Sequence, residues 1–453
     1  MINPKDTSPA AGQTGNNLAV SVISGPLRRY NLAWHLARIF LPLITRLRAR
    51  KGKEDAQRLD ERFGLYHHRS GLPENPVWLH AVSVGESMAA LALIRALVQA
   101  GDHGPYLVTT NTVTAAARIE AAAHANMDAE IAHLYQPLDH PQLVDRFLDA
   151  TQPRTAIFLE SDFWPNLITR AAQRQIPVVF VSSQMSDGAF ARWQRRAALA
   201  GEVFKTTQQV LTVDTVQADR FAALGTPRAV ITVGGSLKLP AATPVIDPSL
   251  VHQITSAASG RKILLAASTH EGEEEVILAA AAKLGEGWMC LLAPRHPHRG
   301  SEIASLAKHA GASYARRTEA PAPDPAHSLY IVDTLGEMDS LFAVADAVFL
   351  GGSLVPRGGH NPIEPAAAGL PVISGPHIFK NKAEFDALAA RGLLRSVTDA
   401  DSLAEAAIAA TCDAAAARRL AVMARKFATE AGKRPQLAAR SILKVMKTTK
   451  RNR

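Results

Sequence analysis

The chain has 453 residues, a net charge of +9 and two cysteines. This length exceeds what one hydrophobic core usually supports, so we expect two domains of roughly 200 residues each. Cys290 and Cys412 lie far apart and fit no metal-ligand spacing. This spacing excludes a disulfide framework and predicts buried thiols in a reducing compartment.

The positive charge is concentrated at the two ends of the chain. Residues 28–53 carry eight Lys and Arg and no acid, and residues 433–453 carry another eight, again without an acid. The two ends therefore hold +16, and the rest of the chain sums to −7. A nucleic-acid-binding protein would spread basic residues over a folded face. The pattern instead predicts an anionic membrane surface or an acidic lipid as partner, and no nucleic acid.

The first 53 residues divide into two segments. Residues 1–25, rich in Ser, Gly, Asn and Pro, predict a disordered extension. Residues 26–53 predict a basic amphipathic helix, kinked at Pro42, because apolar residues recur at helical spacing. The apolar run is too short to span a bilayer and no cleavage site follows it. We expect this helix to anchor a cytoplasmic chain to a membrane surface or, alternatively, to pack on its own domain.

From residue 76 onward, short apolar runs alternate with helical patterns, which is typical of doubly wound parallel sheets. The first set predicts strands at Val77–Ala81, Tyr106–Thr110, Ile131–Tyr135, Thr155–Leu159, Val178–Val181, Val210–Val213 and Ala229–Val233. The second set predicts strands at Lys262–Ala267, Trp288–Ala293, Ser313–Arg316, Leu329–Val332, Ala347–Leu350 and Pro371–Ser374. The predicted fold is α/β, with Rossmann-like domains at 54–238 and 251–430, a Gly- and Pro-rich linker at 239–250, and a basic C-terminal helix and tail at 431–453.

A glycine-rich turn between a strand and a helix dominates the second domain, from Gly351 to Asn381. Two glycines precede Asn361, a favoured N-cap, and Pro362 fits the first helical position. Free backbone N–H groups and the helix dipole would suit a phosphate at this sheet edge. The alternative is a plain capping arrangement, in which Glu364 returns to the N-cap backbone.

Two acidic motifs follow strands of the first domain at one sheet edge. Glu86 closes the string HAVSVGE, where a carboxylate could act as general base on a substrate hydroxyl. Ser83 and Glu86 also match a capping box. Glu160 and Asp162 follow the strand Thr155–Leu159, and Asp162 alternatively caps the helix after it. Two acidic sites on one rim predict a polar substrate between them.

Three motifs of the second domain place positively biased groups on the corresponding edge. They are STHEG at 268–272, PRHP at 294–297 and the glycine-rich turn, while Lys238 lies in the linker. An arginine, a lysine and helix N-termini around one cleft suit a nucleotide phosphate. The residues alone therefore predict an enzyme or binder for a phosphate-bearing ligand.

Seven motifs occur in order between about Tyr30 and Lys447: HAVSVGE, ESDFWPN, GSLK, STHEGEEE, PRHP, DTLGEM and GGHNPIEPAAAG. In these the chain resembles the bacterial Kdo transferases. These are membrane-associated, two-Rossmann (GT-B) glycosyltransferases that move 3-deoxy-D-manno-octulosonic acid (Kdo) from CMP-Kdo to a lipid A precursor. The resemblance implies an inverting transfer at the cytoplasmic face of the inner membrane, in lipopolysaccharide biosynthesis, with no cofactor and no obligatory metal.

The resemblance also implies roles for individual residues. Glu86 would be the general base and Glu160 a second essential acid. The donor-binding residues would be Lys238, Ser268, Thr269, Arg295, His296, Pro297, Gly358, Gly359, His360, Asn361 and Glu364. The acceptor-binding residues would be Ser83, Asp162, Trp164, Asn166 and Gln184. The last helix would return to the first domain and bring both basic ends to one surface.

Two strings depart from the family pattern, both in the acceptor domain. SSQMS at 182–186 has Gln184 where the family has a cation, and ESDFWPN has Asp162 in place of the commoner glutamate. These changes bear on the acceptor and on the number of Kdo units added. The alternatives are another GT-B sugar-nucleotide enzyme, such as a UDP-sugar transferase or epimerase, and a non-catalytic membrane-bound glycan binder.

Overall fold

The computed structural model describes residues 24–66, 71–124, 128–237 and 244–451, and within these ranges the chain forms two parallel seven-stranded sheets. Strands β1–β7 are Val77–His80, Tyr106–Thr110, Ile131–Tyr135, Thr155–Leu159, Val178–Ser183, Gln209–Thr212 and Ile231–Val233. Strands β8–β14 are Lys262–Thr269, Trp288–Pro294, Tyr314–Arg316, Leu329–Ile331, Ala347–Leu350, Val372–Ser374 and Leu394–Ser396. Their orders, β3-β2-β1-β4-β5-β6-β7 and β10-β11-β9-β8-β12-β13-β14, are doubly wound, as predicted.

Helices cover both faces of each sheet. Those of the first part are α1 Gly25–Ala37, α2 Leu41–Arg50, α3 Leu59–Arg62, α4 Val84–Gln99, α5 Val113–His124, α6 Pro141–Thr151, α7 Pro165–Gln173, α8 Asp187–Gln194, α9 Ala197–Phe204 and α10 Thr215–Ala223. Those of the second part are α11 Pro248–Ala258, α12 Glu274–Leu284, α13 Gly300–His309, α14 Met338–Val344, α15 Ile363–Ala368, α16 Lys382–Ala389, α17 Ala400–Thr411, α18 Ala414–Gly432 and α19 Arg434–Arg451.

Central strands such as β4 and β12 are buried along their whole length. A parallel strand covered on both faces needs a continuous apolar run, which is the pattern that predicted them. The half-exposed edge strand β14 was not predicted, because its three residues contain no such run. In the linker, residues 238–243 lie outside the described residues, and α11 begins at Pro248.

Residues 25–50 form two helices, where one kinked helix was predicted. Pro42 lies in the first turn of α2, so it starts a new helix. One face of α1 packs on the first domain, with Leu27 and Asn31 buried. The rest of the pair exposes large apolar side chains: Leu32, Leu36, Ile39, Phe40, Leu43, Ile44 and Leu47. Within the described part of the chain no helix has the length and hydropathy to cross a bilayer. Of the extension predicted at 1–25, residues 1–23 lie outside that part, and Gly25 begins α1.

The last two helices belong to different domains. Helix α18 packs against α15 of the second domain, whereas α19 crosses back to α4 of the first. Ala439 and Ile442 of α19 share a core cluster with Leu93 of α4. The predicted return of the last helix to the first domain is confirmed. Helix α19 covers one face of the sheet, while α1 contacts α9 on the other face. That the two basic ends share one surface stays a prediction.

The two cysteines differ in environment. Cys290 is buried in β9, and burial raises the pKa of its thiol to about 12, as expected of an inert core residue. Cys412 is exposed at the end of α17. The prediction of a buried thiol is therefore wrong for Cys412.

Candidate functional site

The first acidic side chain, Glu86, lies in the opening turn of α4, directly after β1. Its backbone N–H donates to Ser83 Oγ at 3.3 Å, and its carboxylate accepts the Val82 N–H at 2.6 Å. This is a variant of the predicted capping box, in which the carboxylate returns one residue before the N-cap. Ser83 itself is exposed on the rim. The capping interaction and the position at the sheet edge therefore coexist.

The environment of Glu86 suits proton transfer. Only 8% of the residue is exposed. Burial raises the pKa of Glu86 above its ordinary value, and the charges of Glu160 and Asp162 add to the effect. The Val82 N–H and His80 oppose it. A carboxylate with a raised pKa is a better proton acceptor than an ordinary surface glutamate.

Glu160 follows β4 in an uncommon backbone conformation. Its φ of +59° lies in the left-handed region, which a non-glycine residue keeps only where the surroundings impose it. Gln184 holds it in place, because Gln184 Nε2 donates to Glu160 Oε2 at 3.2 Å and the Gln184 backbone N–H donates to the Glu160 carbonyl. The departure from the family cation at 184 therefore gives Glu160 a neutral partner.

Asp162 is the meeting point of several donors. Its Oδ2 lies 2.9 Å from His80 Nε2, 2.7 Å from Trp164 Nε1 and 3.4 Å from Asn111 Nδ2. It does not cap α7, whose N-cap is Trp164 without a side-chain bond. The side chain of Asp162 is 27% exposed. The same carboxylate therefore accepts these buried donors and is also accessible at the edge of the sheet.

Asn166 does not reach the rim. Its side chain is fully buried, and its Nδ2 donates to the Asp139 carbonyl at 2.6 Å. Asp139 in turn accepts the Asn166 backbone N–H and the Tyr30 hydroxyl of α1. Burial raises the pKa of Asp139 to about 7. The predicted acceptor contact at Asn166 is therefore replaced by a structural role, and the Tyr30–Asp139 pair is one that motif spacing did not reveal.

At the second sheet, β8 and β12 approach each other closely. Ser268 has a φ of +57° at a register shift in β8, and a Cβ on Gly351 would lie 2.5 Å from the Ser268 carbonyl oxygen. Only glycine fits at 351. Thr269 is buried, with its hydroxyl donating to Glu274 at 3.0 Å, so it supports the edge and offers no contact to a donor.

The glycine-rich turn uses its own N–H groups. The Gly359 N–H donates to the Gly352 carbonyl at 2.8 Å, and the His360 N–H donates to the Gly351 carbonyl at 3.3 Å. Asn361 Oδ1 accepts the first N–H of the six-residue helix α15. The free N–H groups predicted for a phosphate are thus occupied at these positions. Gly358, at φ +93°, is the position where a Cβ would meet Lys380 and Phe379.

A buried carboxylate, Glu273, holds this turn from below. It is fully buried and accepts the N–H groups of Gly352, Ser353 and Leu354 at 2.7 to 2.9 Å, together with that of His270. A carboxylate with several backbone donors is a strong, charge-assisted anchor. No role for Glu273 was predicted from its position in the string STHEGEEE.

Cationic and imidazole side chains form the outer wall of the second edge. Arg295 and His296 are exposed after β9. The Nε2 atoms of His270 and His360 lie 2.9 Å apart, with stacked rings. Burial lowers the pKa of His360 to about 4, and His270, Arg295 and Lys380 add to the effect. The permanent positive charge thus comes from Arg295 and Lys380, which suits an anionic ligand.

A cavity of about 710 Å³ lies between the two domains, and neither Glu86 nor Arg295 is among the residues that line it. Gln184 and Ser236 line it from the first domain, and Lys380 and Asn381 line it from the second. Arg434 joins the domains beside it, donating to the Ser236 carbonyl at 3.1 Å and pairing with Glu384 of α16.

Three of the predicted donor-binding residues do not line this cavity or lie outside the described residues. Glu364 lines a second cavity of about 540 Å³, and burial raises its pKa. Pro297 opens a short 3₁₀ turn after β9. Lys238 lies outside the described residues. In the parts of the chain that are described, no group of three or more His, Cys, Asp or Glu is arranged to hold a metal ion.

Comparison with known proteins identifies the family. The family model described as 3-deoxy-D-manno-octulosonic-acid transferase matches residues 57–241. The transferase of that name from Haemophilus influenzae is 34% identical over 358 residues, which cover 77% of this chain and 82% of the relative. The chain belongs to the Kdo transferase family. The Bordetella pertussis transferase is 37% identical over 350 residues, covering 74% of this chain and 79% of the relative.

This Kdo transferase is therefore a glycosyltransferase, and its fold agrees with that class. The crystal structure of a glycosyltransferase from Rickettsia africae matches 84% of this chain and all of that chain, with a TM-score of 0.56 and 13% identity. At this identity the likeness establishes the GT-B-like arrangement of two parallel sheets and nothing about the substrate.

Proposed function

We propose that this Kdo transferase moves Kdo from CMP-Kdo to a lipid A precursor, lipid IVA, releasing CMP with inversion at the anomeric carbon. The observation that carries the proposal is the buried carboxylate of Glu86 at the edge of the first sheet, together with the exposed Arg295 and His296 at the edge of the second. Glu86 takes the proton of the acceptor hydroxyl as that oxygen attacks. Glu160, fixed by Gln184, lies near enough to raise the pKa of Glu86.

The second edge provides for the anionic donor. Arg295 and Lys380 supply charge for the phosphate of CMP and the carboxylate of Kdo, and His296 adds a donor beside them. Glu364 lines the second cavity, near enough to Arg295 for that charge to act on its pKa, and would accept hydrogen bonds from the ribose hydroxyls. Because the turn N–H groups at 359 and 360 are already bonded, side chains carry this recognition. No cofactor is required in this scheme.

The test is a transfer assay with purified full-length protein, CMP-Kdo and tetra-acylated lipid A precursor, read by mass spectrometry of the lipid. We expect Kdo-sized increments, and their number gives the units added. UDP-N-acetylglucosamine in place of CMP-Kdo is the control for the alternative sugar-nucleotide enzymes and should give no product. Tight binding of both substrates without transfer would instead favour the non-catalytic binder.

The pH dependence of the reaction tests the base. Because Glu86 must be ionised to act and its pKa is raised, kcat/KM should fall on acidification with an apparent pKa above the ordinary glutamate value. Glu160→Gln removes a charge that raises the pKa of Glu86. The apparent pKa at which the residual kcat/KM falls on acidification should therefore be lower in this variant than in wild type. An unchanged or higher apparent pKa in Glu160→Gln would contradict this electrostatic coupling.

We further propose that α1 and α2 seat the enzyme on the cytoplasmic face of the inner membrane, because their outward apolar side chains are flanked by arginines. Leu36 is 68% and Phe40 60% exposed. Burying one such side chain contributes about 1.5–3 kcal/mol. Leu36→Ser with Phe40→Ser should therefore weaken binding to phosphatidylglycerol vesicles by about tenfold or more in a sedimentation assay.

A matched double substitution controls for this experiment. Val422 and Met423 of α18 are 66% and 42% exposed but lie on the second domain. Val422→Ser with Met423→Ser should leave vesicle binding unchanged. Equal losses in both pairs would mean that general surface hydrophobicity, and not the α1–α2 pair, drives the association.

A further inference from the structure

A chain of polar contacts runs from the outer face of α2 into the catalytic rim. Arg48 Nε of α2 lies 2.8 Å from Glu54 Oε1, and Glu54 Oε2 lies 3.4 Å from Arg62 Nε. Arg62 Nη1 donates to Asn111 Oδ1 at 2.8 Å, and Asn111 Nδ2 reaches Asp162 Oδ2 at 3.4 Å. Five side chains thus connect the exposed helix to the carboxylate beside the rim.

The middle of this chain is deeply buried. Glu54 is 5% and Arg62 8% exposed. A buried arginine stays charged and needs a carboxylate and hydrogen-bond acceptors around it. Arg62 finds these in Glu54, Asn111 and the Gln136 carbonyl. Arg62 Nε pairs with Glu54 without a hydrogen bond, whereas Arg62 Nη1 is hydrogen-bonded to Asn111 and to the Gln136 carbonyl. A displacement of Glu54 therefore acts on Arg62 through charge, in a buried environment where that interaction is weakly screened.

The inner end of the chain is His80, which is fully buried at the end of β1. Its Nε2 lies 2.9 Å from Asp162 Oδ2, and its Nδ1 lies 2.9 Å from Thr109 Oγ1. Trp78 Nε1 already donates to that hydroxyl oxygen. Because a carboxylate only accepts, Nε2 of a neutral ring carries the proton that Asp162 accepts, and the Thr109 hydroxyl then donates to Nδ1. The network assigns one tautomer to His80, six residues before Glu86.

Helix α1 reaches the same carboxylate by a second route. The ring of Trp34 lies 6.5 Å from the ring of Trp164, and Trp164 Nε1 donates to Asp162 at 2.7 Å. Contacts from both α1 and α2, the helices with the exposed apolar side chains, therefore lead to Asp162. No feature of Kdo transfer as described above requires that connection.

We propose that Glu54, Arg62, Asn111, Asp162 and His80 form a positioning relay, through which the seating of α1 and α2 on a lipid surface orders the rim that carries Glu86. Asp162 is then a positioning residue that acts through His80. The inference rests on the proposed function for the role of Glu86, but the ordering of the rim can be measured without any turnover.

The test compares wild type, Glu54→Gln and Asp102→Asn, each as full-length protein, with and without vesicles of phosphatidylglycerol and phosphatidylethanolamine. Asp102→Asn is the matched control, because Asp102 pairs with Arg154 at 2.7 Å, is similarly buried and lies at the opposite sheet edge. Amide hydrogen exchange is followed in residues 80–87 and 160–166. Vesicle binding, CMP-Kdo binding and kcat are measured in parallel.

Vesicles should slow exchange in both segments of wild type and of Asp102→Asn. In Glu54→Gln they should bind equally well, because the apolar face is intact, but the slowing should be absent. The kcat on vesicles should then fall roughly 2- to 30-fold with the KM for CMP-Kdo unchanged. The relay is refuted if Glu54→Gln responds like wild type, or if Asp102→Asn loses the response as well.

Two further measurements keep the outcomes distinct. If Glu54→Gln fails to fold, Arg48→Gln replaces it, since Arg48 is half exposed at the outer end of the relay and leaves Glu54 paired with Arg62. The same loss of protection is expected, and an unchanged response refutes the relay. If protection behaves as expected while Glu86→Gln still transfers Kdo at the wild-type rate, the relay stands and the assignment of the base fails.

Discussion

Glu86→Gln should reduce Kdo transfer by ~10²- to 10⁴-fold, the usual effect of removing a general base. The amide oxygen can still accept the Val82 N–H, so the start of α4 should survive the change. The affinity for CMP-Kdo should also persist, because the donor groups lie on the other sheet. Single-turnover transfer and equilibrium binding of CMP-Kdo measure the two quantities separately.

Asp413→Ala is the control for loss of a helix cap. Asp413 caps α18, far from the cleft, by accepting the N–H groups of Ala415 and Ala416. Its removal should cost about 1 kcal/mol of unfolding free energy and leave transfer intact. Should Glu86→Gln transfer Kdo as fast as wild type, Glu86 is only a capping residue, and the base must be Glu160 or Asp162.

Glu273→Ala should destabilise the protein by at least ~3 kcal/mol, because it leaves the backbone N–H groups of Gly352, Ser353 and Leu354 buried without their acceptor. The glycine-rich turn then loses its anchor, so CMP-Kdo binding should be lost together with stability. Denaturant unfolding of the full chain and binding of CMP-Kdo are the measurements.

The exposed Glu275, in the first turn of α12 for which Glu273 is the N-cap, is the matched control. Glu275→Ala should change the unfolding free energy by no more than ~0.5 kcal/mol. If Glu273→Ala is as stable as Glu275→Ala, the turn is held by the contacts of its glycines and the anchoring role of Glu273 is wrong.

Elements whose signal is local were predictable from the sequence. The strands Tyr106–Thr110, Ile131–Tyr135, Thr155–Leu159 and Ala347–Leu350 have the predicted bounds, because each is a short, mainly apolar run that the sequence shows directly. The position of Glu86 was also predictable from a local signal. The end of strand β1 and the N-cap of α4 both lie within the eight residues from His80 to Ser87. The prediction of one helix kinked at Pro42 was wrong, because a proline in the first turn of a new helix cannot be distinguished by sequence from one at a kink.

Contacts between distant segments account for the rest. Arg62 meets Asn111 across 49 positions, and Tyr30 meets Asp139 across 109, so no motif spacing encodes them. The burial of Asn166 depends on the same long-range packing. For the glycine-rich turn, sequence showed which residues form it but not that its N–H groups at 359 and 360 would bond within the turn.

The return of α19 to the first domain has a consequence for biosynthesis. Ile442 and Met446 complete the apolar layer over α4, yet they follow strand β7 by roughly 200 residues. At ~5–20 residues per second, the ribosome needs roughly 10–40 s to add them. During that time the first domain has an uncovered apolar face, so a nascent chain is open to chaperones and to aggregation until the last helix emerges.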